Sequence, residues 1–114
     1  MSMNCTAFVI TFIFIAFDFI SGMIKAFAGG KFTSTKMREG LFHKVSLILC
    51  VALGYLLDLS QGFLDLGIKV PVAAAICAYI ALMEVSSIIE NLCAINPALM
   101  PDKLLDIFGG GHHE

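Results

Sequence analysis

The chain has 114 residues, of which 59% are hydrophobic and 14% are charged, and its formal net charge is −2. Water-soluble domains are usually about 45–50% apolar and about 25% charged, and one soluble core of this size could not bury so much apolar surface. The composition therefore excludes an ordinary soluble domain and favours a lipid bilayer as the solvent. The small net charge carries no information about nucleic acid, and no nucleic-acid partner is expected.

The first long apolar run covers residues 6–28 and predicts a transmembrane helix, because a spanning helix needs about 20 mostly apolar residues. It does not fit a secretory signal peptide, since no basic residue precedes it and Asp18 and Lys25 interrupt it. At helical spacing its small and polar residues share one face. These residues are Thr11, Asp18, Ser21, Gly22, Lys25 and Gly29. Lys25 is close enough to the helix end to reach the headgroups, whereas Asp18 is deeper.

A basic segment follows the glycine pair that is expected to end this helix. It contains Lys31, Lys36, Arg38 and Lys44, with Glu39 as its one acidic residue. Short segments rich in Lys and Arg stay in the cytoplasm, so we interpret this one as a cytoplasmic basic loop. Ser34 and Thr35 are candidate N-caps for the next helix.

The second predicted span covers about residues 41–59. Small or polar residues recur in it at every third or fourth position: Ser46, Cys50, Gly54, Asp58 and Gln61. Such faces let helix backbones approach closely in lipid, where packing and hydrogen bonds replace the hydrophobic drive between helices. Asp58 is expected to reach the membrane interface rather than to be buried.

The third predicted span covers residues 71–93 and begins at a proline, which suits the first turn of a helix. The connection before it is short, so the second and third spans must be antiparallel neighbours. One face carries Ala73, Cys77, Ala81, Glu84, Ser87 and Asn91. Glu84 lies near the middle of this span, where a carboxylate costs on the order of 3 kcal/mol on insertion scales. That face therefore needs a partner or water.

These elements predict an all-α membrane protein with three transmembrane helices. A cytoplasmic basic loop places the N-terminus outside and the C-terminus inside. Residues 1–108 are expected to form a single membrane domain. Residues 109–114, which include His112 and His113, are expected to form a flexible tail.

The sequence contains no nucleotide-binding loop, no metal-ligand cluster and no nucleophile elbow, so we predict no enzyme, no cofactor and no metal site. The four cysteines lie within or beside apolar runs without a C-x-x-C pair, which indicates buried free thiols.

The polar residues within the predicted spans are the candidate functional positions. They are Asp18, Ser21, Gly22, Lys25, Gly54, Glu84, Ser87 and Asn91. We interpret Gly54 and Ser87 as helix contacts, because small and hydroxyl residues hold helices together in lipid. Asp18 and Glu84 are interpreted as functional, because intramembrane carboxylates usually face a cavity or a partner charge. Each of the three helices has one face of small and polar residues, which we call its polar stripe. Three such helices predict a homo-oligomer whose polar stripes line a pore or lesion.

Two sequence patterns support this interpretation. D-x-x-[ST]-G-x-x-K-A begins at Asp18 and ends at Ala26, and E-x-x-S-I-x-E-N begins at Glu84 and ends at Asn91. Further matching positions are Gly30, Lys31, Ser34, Gly40, Lys44, Tyr79 and Pro101. Over roughly residues 15–101, the chain resembles the bacteriophage holin family that includes the clostridial toxin-secretion holins.

The resemblance implies a phage- or prophage-encoded protein of the bacterial cytoplasmic membrane without catalytic residues. Such a protein accumulates, assembles at a set time and forms lesions. An endolysin, or in some relatives a toxin, then escapes without binding stably to it. Family members often end in a strongly basic stretch, whereas the end of this chain has Lys103 against Asp102, Asp106 and Glu114.

Two other functions remain open from the residues. One is a small ion channel or transporter subunit in which Glu84 and Asp18 carry protons or cations. The other is a structural subunit whose stripes bind a larger membrane protein.

The orientation can be tested with single cysteines in a cysteine-free background. Because the basic segment is expected inside, cysteines at positions 31–36 should resist a membrane-impermeant maleimide in intact cells, and cysteines at positions 61–67 should react with it. The reverse labelling pattern would overturn the orientation.

Overall fold

The computed structural model describes residues 2–99, which form three long helices. Helix α1 is Ser2–Ala28, α2 is Ser34–Ser60 and α3 is Val72–Ile95, and a short 3-10 turn, Pro97–Leu99, follows. Three segments are long and apolar enough to cross a membrane: Cys5–Ala28, Ser34–Ser60 and Val72–Ile95. The predicted all-helical architecture with three candidate spans is confirmed. The predicted tail, 109–114 with His112 and His113, lies outside the described residues.

Helix α1 ends in a Schellman motif at the expected glycine pair. Gly30 has a φ of 68°, and the amide of Lys31 donates to the carbonyl of Ala26 at 2.8 Å. The Gly30 amide donates to the carbonyl of Phe27 at 3.1 Å. Glycine adopts this left-handed conformation without the Cβ clash that other residues would meet. The chain can therefore reverse within a few residues and enter α2.

Helix α2 begins earlier than predicted, at Ser34 rather than near Leu41. Thr33 is its N-cap, and the Thr33 side chain accepts a hydrogen bond from the Lys36 amide at 3.0 Å. The prediction of Ser34 or Thr35 as the cap is therefore wrong by one or two residues. The prediction that Lys36, Arg38 and Lys44 belong to a loop is also wrong, because this cap lets the helix form through the basic segment. Lys31 does lie in the α1–α2 connection.

Helix α3 lies at the centre of the bundle, since α1 and α2 both pack mainly against it and less against each other. Ile15, Val51, Cys77 and Ile80 form the apolar core. Gly54 allows the closest approach of α2 to α3. A Cβ atom at Gly54 would lie 3.0 Å from both the Ala73 Cα and the Ile76 Cδ1. This contact agrees with the small-face packing predicted for Gly54.

The N-terminus of α3 is capped by a residue of α2. Both oxygens of Asp58 accept main-chain hydrogen bonds, from the Val72 amide at 2.8 Å and from the Ala73 amide at 3.0 Å. Pro71 occupies the N-cap position and has no side chain that could make such bonds. Asp58 is half-buried near the end of α2 rather than fully buried, as expected, but its capping role was not predicted. The carboxylate also complements the positive end of the α3 dipole.

The faces that point away from the bundle are mostly apolar. Phe17 and Ile20 on α1, Leu53 on α2, and Tyr79 and Leu82 on α3 are each at least half exposed. Such surfaces suit lipid tails.

The inward face of α2 differs from the predicted stripe. Ser46 and Cys50 are exposed, whereas Val51 and Gly54 are buried. The interpretation of all four cysteines as buried is correct for Cys77 and Cys93 and wrong for Cys5 and Cys50, and all four are free thiols. The reason is that α2 is rotated about its axis so that Val51 faces α3, which leaves Cys50 on the lipid side.

Candidate functional site

One lysine joins two carboxylates at the centre of the bundle. The Lys44 Nζ of α2 lies 2.5 Å from the Asp18 Oδ2 of α1. The same Nζ lies 3.0 Å from the Glu84 Oε2 of α3 and 3.3 Å from its Oε1. Each helix therefore contributes one charged residue. We call Asp18, Lys44 and Glu84 the ion cluster.

Helical periodicity places these three charges beside the apolar core. Asp18 follows the core residue Ile15 by three positions, and Glu84 follows the core residue Ile80 by four. Residues three or four positions apart lie on the same helix face. On α2, Lys44 stands seven positions before Val51, which is two turns. The side chains that form the core thus also direct the three charged groups toward one point.

Hydrogen bonds from α3 complete the surroundings of Asp18. The Asn91 Nδ2 donates to the Asp18 Oδ1 at 3.0 Å and to the Ser21 Oγ at 2.9 Å. The Ser21 hydroxyl in turn donates to the main-chain carbonyl of Asp18 at 3.0 Å. Both carboxylate oxygens of Asp18 therefore have a partner, one from Lys44 and one from Asn91. Satisfied polar networks of this kind hold a single helix register.

The ion cluster is almost completely shielded from solvent. Asp18 is 5% exposed, Glu84 is 2% exposed, and the Lys44 side chain is 13% exposed. Two carboxylates against one ammonium leave one formal negative charge inside the bundle. Charges interact strongly in a low-dielectric interior, but removing them from water is costly, so each depends on its partners.

A cleft of about 810 Å³ leads from the α1–α2 connection toward the ion cluster. Asp18, Lys44, Ser87 and Asn91 line its inner part, and Lys25, Lys31, Lys36 and His43 are among the residues nearer its mouth. Lys25 and Lys36 lie in the last turn of α1 and near the start of α2. The ion cluster is therefore approached from the end of the bundle that carries the basic residues.

Most of the predicted site residues meet in this region. Asp18, Ser21, Glu84 and Asn91 are buried, and Ser87 is half-buried in the cleft lining. A Cβ atom at Gly22 would lie 3.6 Å from the Asn91 Nδ2, so Gly22 borders the same network.

Two predicted site residues lie elsewhere. Lys25 is exposed on the cleft wall, and Gly54 packs against α3 on the far side of the core.

Lys44 was misplaced by reasoning from the sequence, because the basic segment as a whole fits a cytoplasmic loop. Counting back from the predicted contact residue Gly54 in steps of three, three and four gives Val51, Ile48 and Lys44. That register would have placed a cation on the inner face of α2. Two intramembrane carboxylates without an assigned cation were the second signal, since buried charges are normally paired.

Among residues 2–99, no group of three or more His, Cys, Asp or Glu side chains is arranged to hold a metal ion. The site consists of a buried ion cluster with an amide and hydroxyl network around it.

A family model described as the bacteriophage holin family matches residues 4–110, which is nearly the whole chain. No curated protein and no solved structure matches the chain. The match includes every residue of the ion cluster and of the cleft.

Replacing Lys44 tests whether the ion cluster holds the helices together. Lys44→Gln leaves Asp18 and Glu84 buried without their cation, which costs on the order of 3–5 kcal/mol. We expect a large fall in the free energy of unfolding, followed by far-ultraviolet circular dichroism in mixed micelles.

The triple variant Asp18→Asn/Lys44→Gln/Glu84→Gln should recover most of the lost stability, because no unpaired charge remains. Lys36→Gln is the matched control on the exposed face of the same helix and should unfold like the parent. Equal unfolding curves for Lys44→Gln and Lys36→Gln would contradict a structural role for the ion cluster.

Proposed function

Because the chain belongs to the bacteriophage holin family, we propose that it self-associates in the bacterial cytoplasmic membrane and forms lesions that trigger lysis of the host cell. An endolysin, or a secreted toxin, leaves the cytoplasm through these lesions without binding stably to the protein. The observation that carries this proposal is the family match over residues 4–110, together with three helices apolar enough to span a membrane. Holins are generally pore-forming membrane proteins rather than enzymes, and no catalytic step is required.

The distribution of polar residues supports a closed protomer that must open to form a lesion. The polar stripes of α1 and α3 are directed into the bundle, where Thr11, Ser21 and Glu84 are each 2% exposed. The surface toward lipid is apolar, so protomers in this form cannot line a water-filled opening. Lesion formation therefore requires α1 and α3 to separate and turn their polar faces toward a shared lumen.

The ion cluster gives this opening a dependence on protein concentration. An isolated protomer that opened would expose Asp18, Lys44 and Glu84 to lipid, and charged groups are expensive there. Several protomers that open together can enclose water, which hydrates the same groups. Opening is thus unfavourable while protomers are dilute and becomes favourable once they cluster. Weak contacts between helices in lipid make the clustering itself concentration-dependent.

We also propose that the N-terminus lies outside and the C-terminus inside. Lys25, Lys31, Lys36 and Arg38 lie at the end of the bundle that contains the α1–α2 connection. The α2–α3 connection contains Lys69 as its one basic residue, with Asp65 nearby. The excess of basic residues supports a cytoplasmic position for the first connection.

A second candidate function follows from the charge of the ion cluster. Two carboxylates share one ammonium, so one proton or monovalent cation would make the cluster neutral. That imbalance fits a small ion channel or transporter subunit in which Glu84 and Asp18 carry protons or cations. The two functions differ in the size of what passes and in the onset of the leak.

Controlled expression in bacteria distinguishes the two. The protein is co-expressed with a cytoplasmic muralytic enzyme that has no signal peptide, while growth and membrane potential are recorded. We expect growth to continue after induction and then to stop abruptly at a threshold of accumulated protein. Membrane potential should collapse at that moment and the enzyme should reach the cell wall only then, because clustering must precede opening.

Comparing the matched variants Glu84→Gln and Glu90→Gln tests whether the ion cluster controls the timing of lysis. Glu84→Gln leaves Asp18 and Lys44 as a neutral pair, which favours the closed protomer and should delay lysis without reducing the amount inserted. Glu90 is exposed on the same helix, so Glu90→Gln should keep the parent timing. A leak that grows in proportion to expression, with the enzyme retained inside, would contradict the lesion and support the ion-conducting function.

A further inference from the structure

The mouth of the cleft concentrates positive charge. Lys25, Lys31 and Lys36 line it together with one acidic residue, Glu39, which leaves two formal positive charges. The chain as a whole has a formal net charge of −2, so this region is opposite in sign to the rest. None of the three lysines forms an ion pair with another residue in the part of the chain that the structure describes. Among residues 2–99, the cleft mouth therefore offers three ammonium groups without an acidic partner.

The length of α2 allows these lysines to reach the lipid headgroups. Helix α2 has 27 residues and is roughly 40 Å long, whereas the hydrocarbon core of a bilayer is about 30 Å thick. Lys36 is near the first turn of α2, and Lys25 is in the last turn of α1. If the spans are centred in the bilayer, the ends of both helices extend beyond the hydrocarbon, and the cleft mouth opens between them.

The cleft also has an apolar side that continues onto the lipid-facing surface. Phe19 and Met23 contribute to its lining, and the neighbouring Ile20 and Ile24 of α1 are 58% and 49% exposed. A soluble anion would use only the lysines. A phospholipid would place its phosphate among the lysines and its acyl chains along these α1 side chains.

We propose that the cleft, which residues of all three helices line, binds the headgroup of an anionic phospholipid. Basic pockets between transmembrane helices attract such headgroups, at about 1 kcal/mol per Lys or Arg near the surface. Helices α1 and α2 make less contact with each other than either makes with α3, and the lipid fills the space between them. The site does not depend on lysis activity, so it can be tested on purified protein even if the proposed function is wrong.

The chain contains no tryptophan, which makes fluorescence a direct probe. Ala94→Trp and Met23→Trp place a reporter at two separate positions of the cleft, and Tyr79→Trp places one on the lipid-facing side of α3. Each variant is reconstituted in phosphatidylcholine vesicles that contain a minority of brominated phosphatidylglycerol, which quenches nearby tryptophan. Circular dichroism establishes that each reporter variant is folded.

We expect brominated phosphatidylglycerol to quench both cleft reporters more than the Tyr79→Trp reporter, and brominated phosphatidylcholine to quench the cleft reporters less. The double variant Lys31→Gln/Lys36→Gln should weaken the apparent affinity roughly 30-fold. Lys31→Arg/Lys36→Arg should retain it. Arg38→Gln/Lys69→Gln removes the same charge from residues that do not line the cleft and should change the affinity far less.

Three results would overturn the proposal. The first is equal quenching of the cleft and Tyr79→Trp reporters, because the lipid would then be ordinary bulk lipid. The second is an equal loss of affinity in both glutamine double variants, which would reduce the effect to net charge. The third is relief of the quenching by millimolar inorganic phosphate, which would show that the cleft takes a free anion rather than a lipid.

Discussion

The structure depends on one ammonium group that is shared by two carboxylates from different helices. Lys44 of α2 lies within hydrogen-bonding distance of both Asp18 of α1 and Glu84 of α3. None of these three groups could remain charged at this depth without the others, since a buried ion that loses its partner is strongly destabilising. The requirement that Asp18, Lys44 and Glu84 contact one another fixes the relative positions of all three helices. The polar stripes are directed inward for this reason, and the apolar faces are left to the lipid.

A second set of contacts holds the N-terminal end of α3. Asp58 of α2 caps the first turn of α3. Gly54, one turn before Asp58 on α2, lets the backbones of α2 and α3 approach closely. At the other end of α3, Asn91 binds Asp18 and Ser21 of α1. Helix α3 is thus tied to α2 near its N-terminus and to α1 near its C-terminus, with the ion cluster between. An opening that keeps the Asp58 cap and releases the Asn91 contacts would separate α1 from the other two helices, and α1 carries much of the polar stripe.

Helical periodicity was enough to predict the inward faces of α1 and α3. Asp18 and Ser21 are three residues apart and Glu84 and Asn91 are seven apart, and that spacing alone places each pair on a common face. The partner of the two carboxylates was not predicted, because a basic segment indicates a side of the membrane but not where its helix begins. Lys44 already lay within the predicted span 41–59, but it was assigned to the loop together with its basic neighbours, whereas α2 begins at Ser34 and includes them all. The Asp58 cap was missed because it joins residues that are distant along the chain, and no local pattern of the α3 N-terminus points to α2.

The central claim is that the polar face is enclosed in the protomer and becomes exposed to water when the lesion forms. Ser21 is 2% exposed and lies outside the cleft lining, so Ser21→Cys in a cysteine-free background reports directly on that face. A small charged methanethiosulfonate, which reacts only with thiols in water, should leave it unmodified during accumulation and label it when membrane potential collapses. Leu53→Cys, on the lipid side of α2, should stay unlabelled throughout. Lysis with Ser21→Cys still protected would contradict the account, because the lesion would then form between closed protomers.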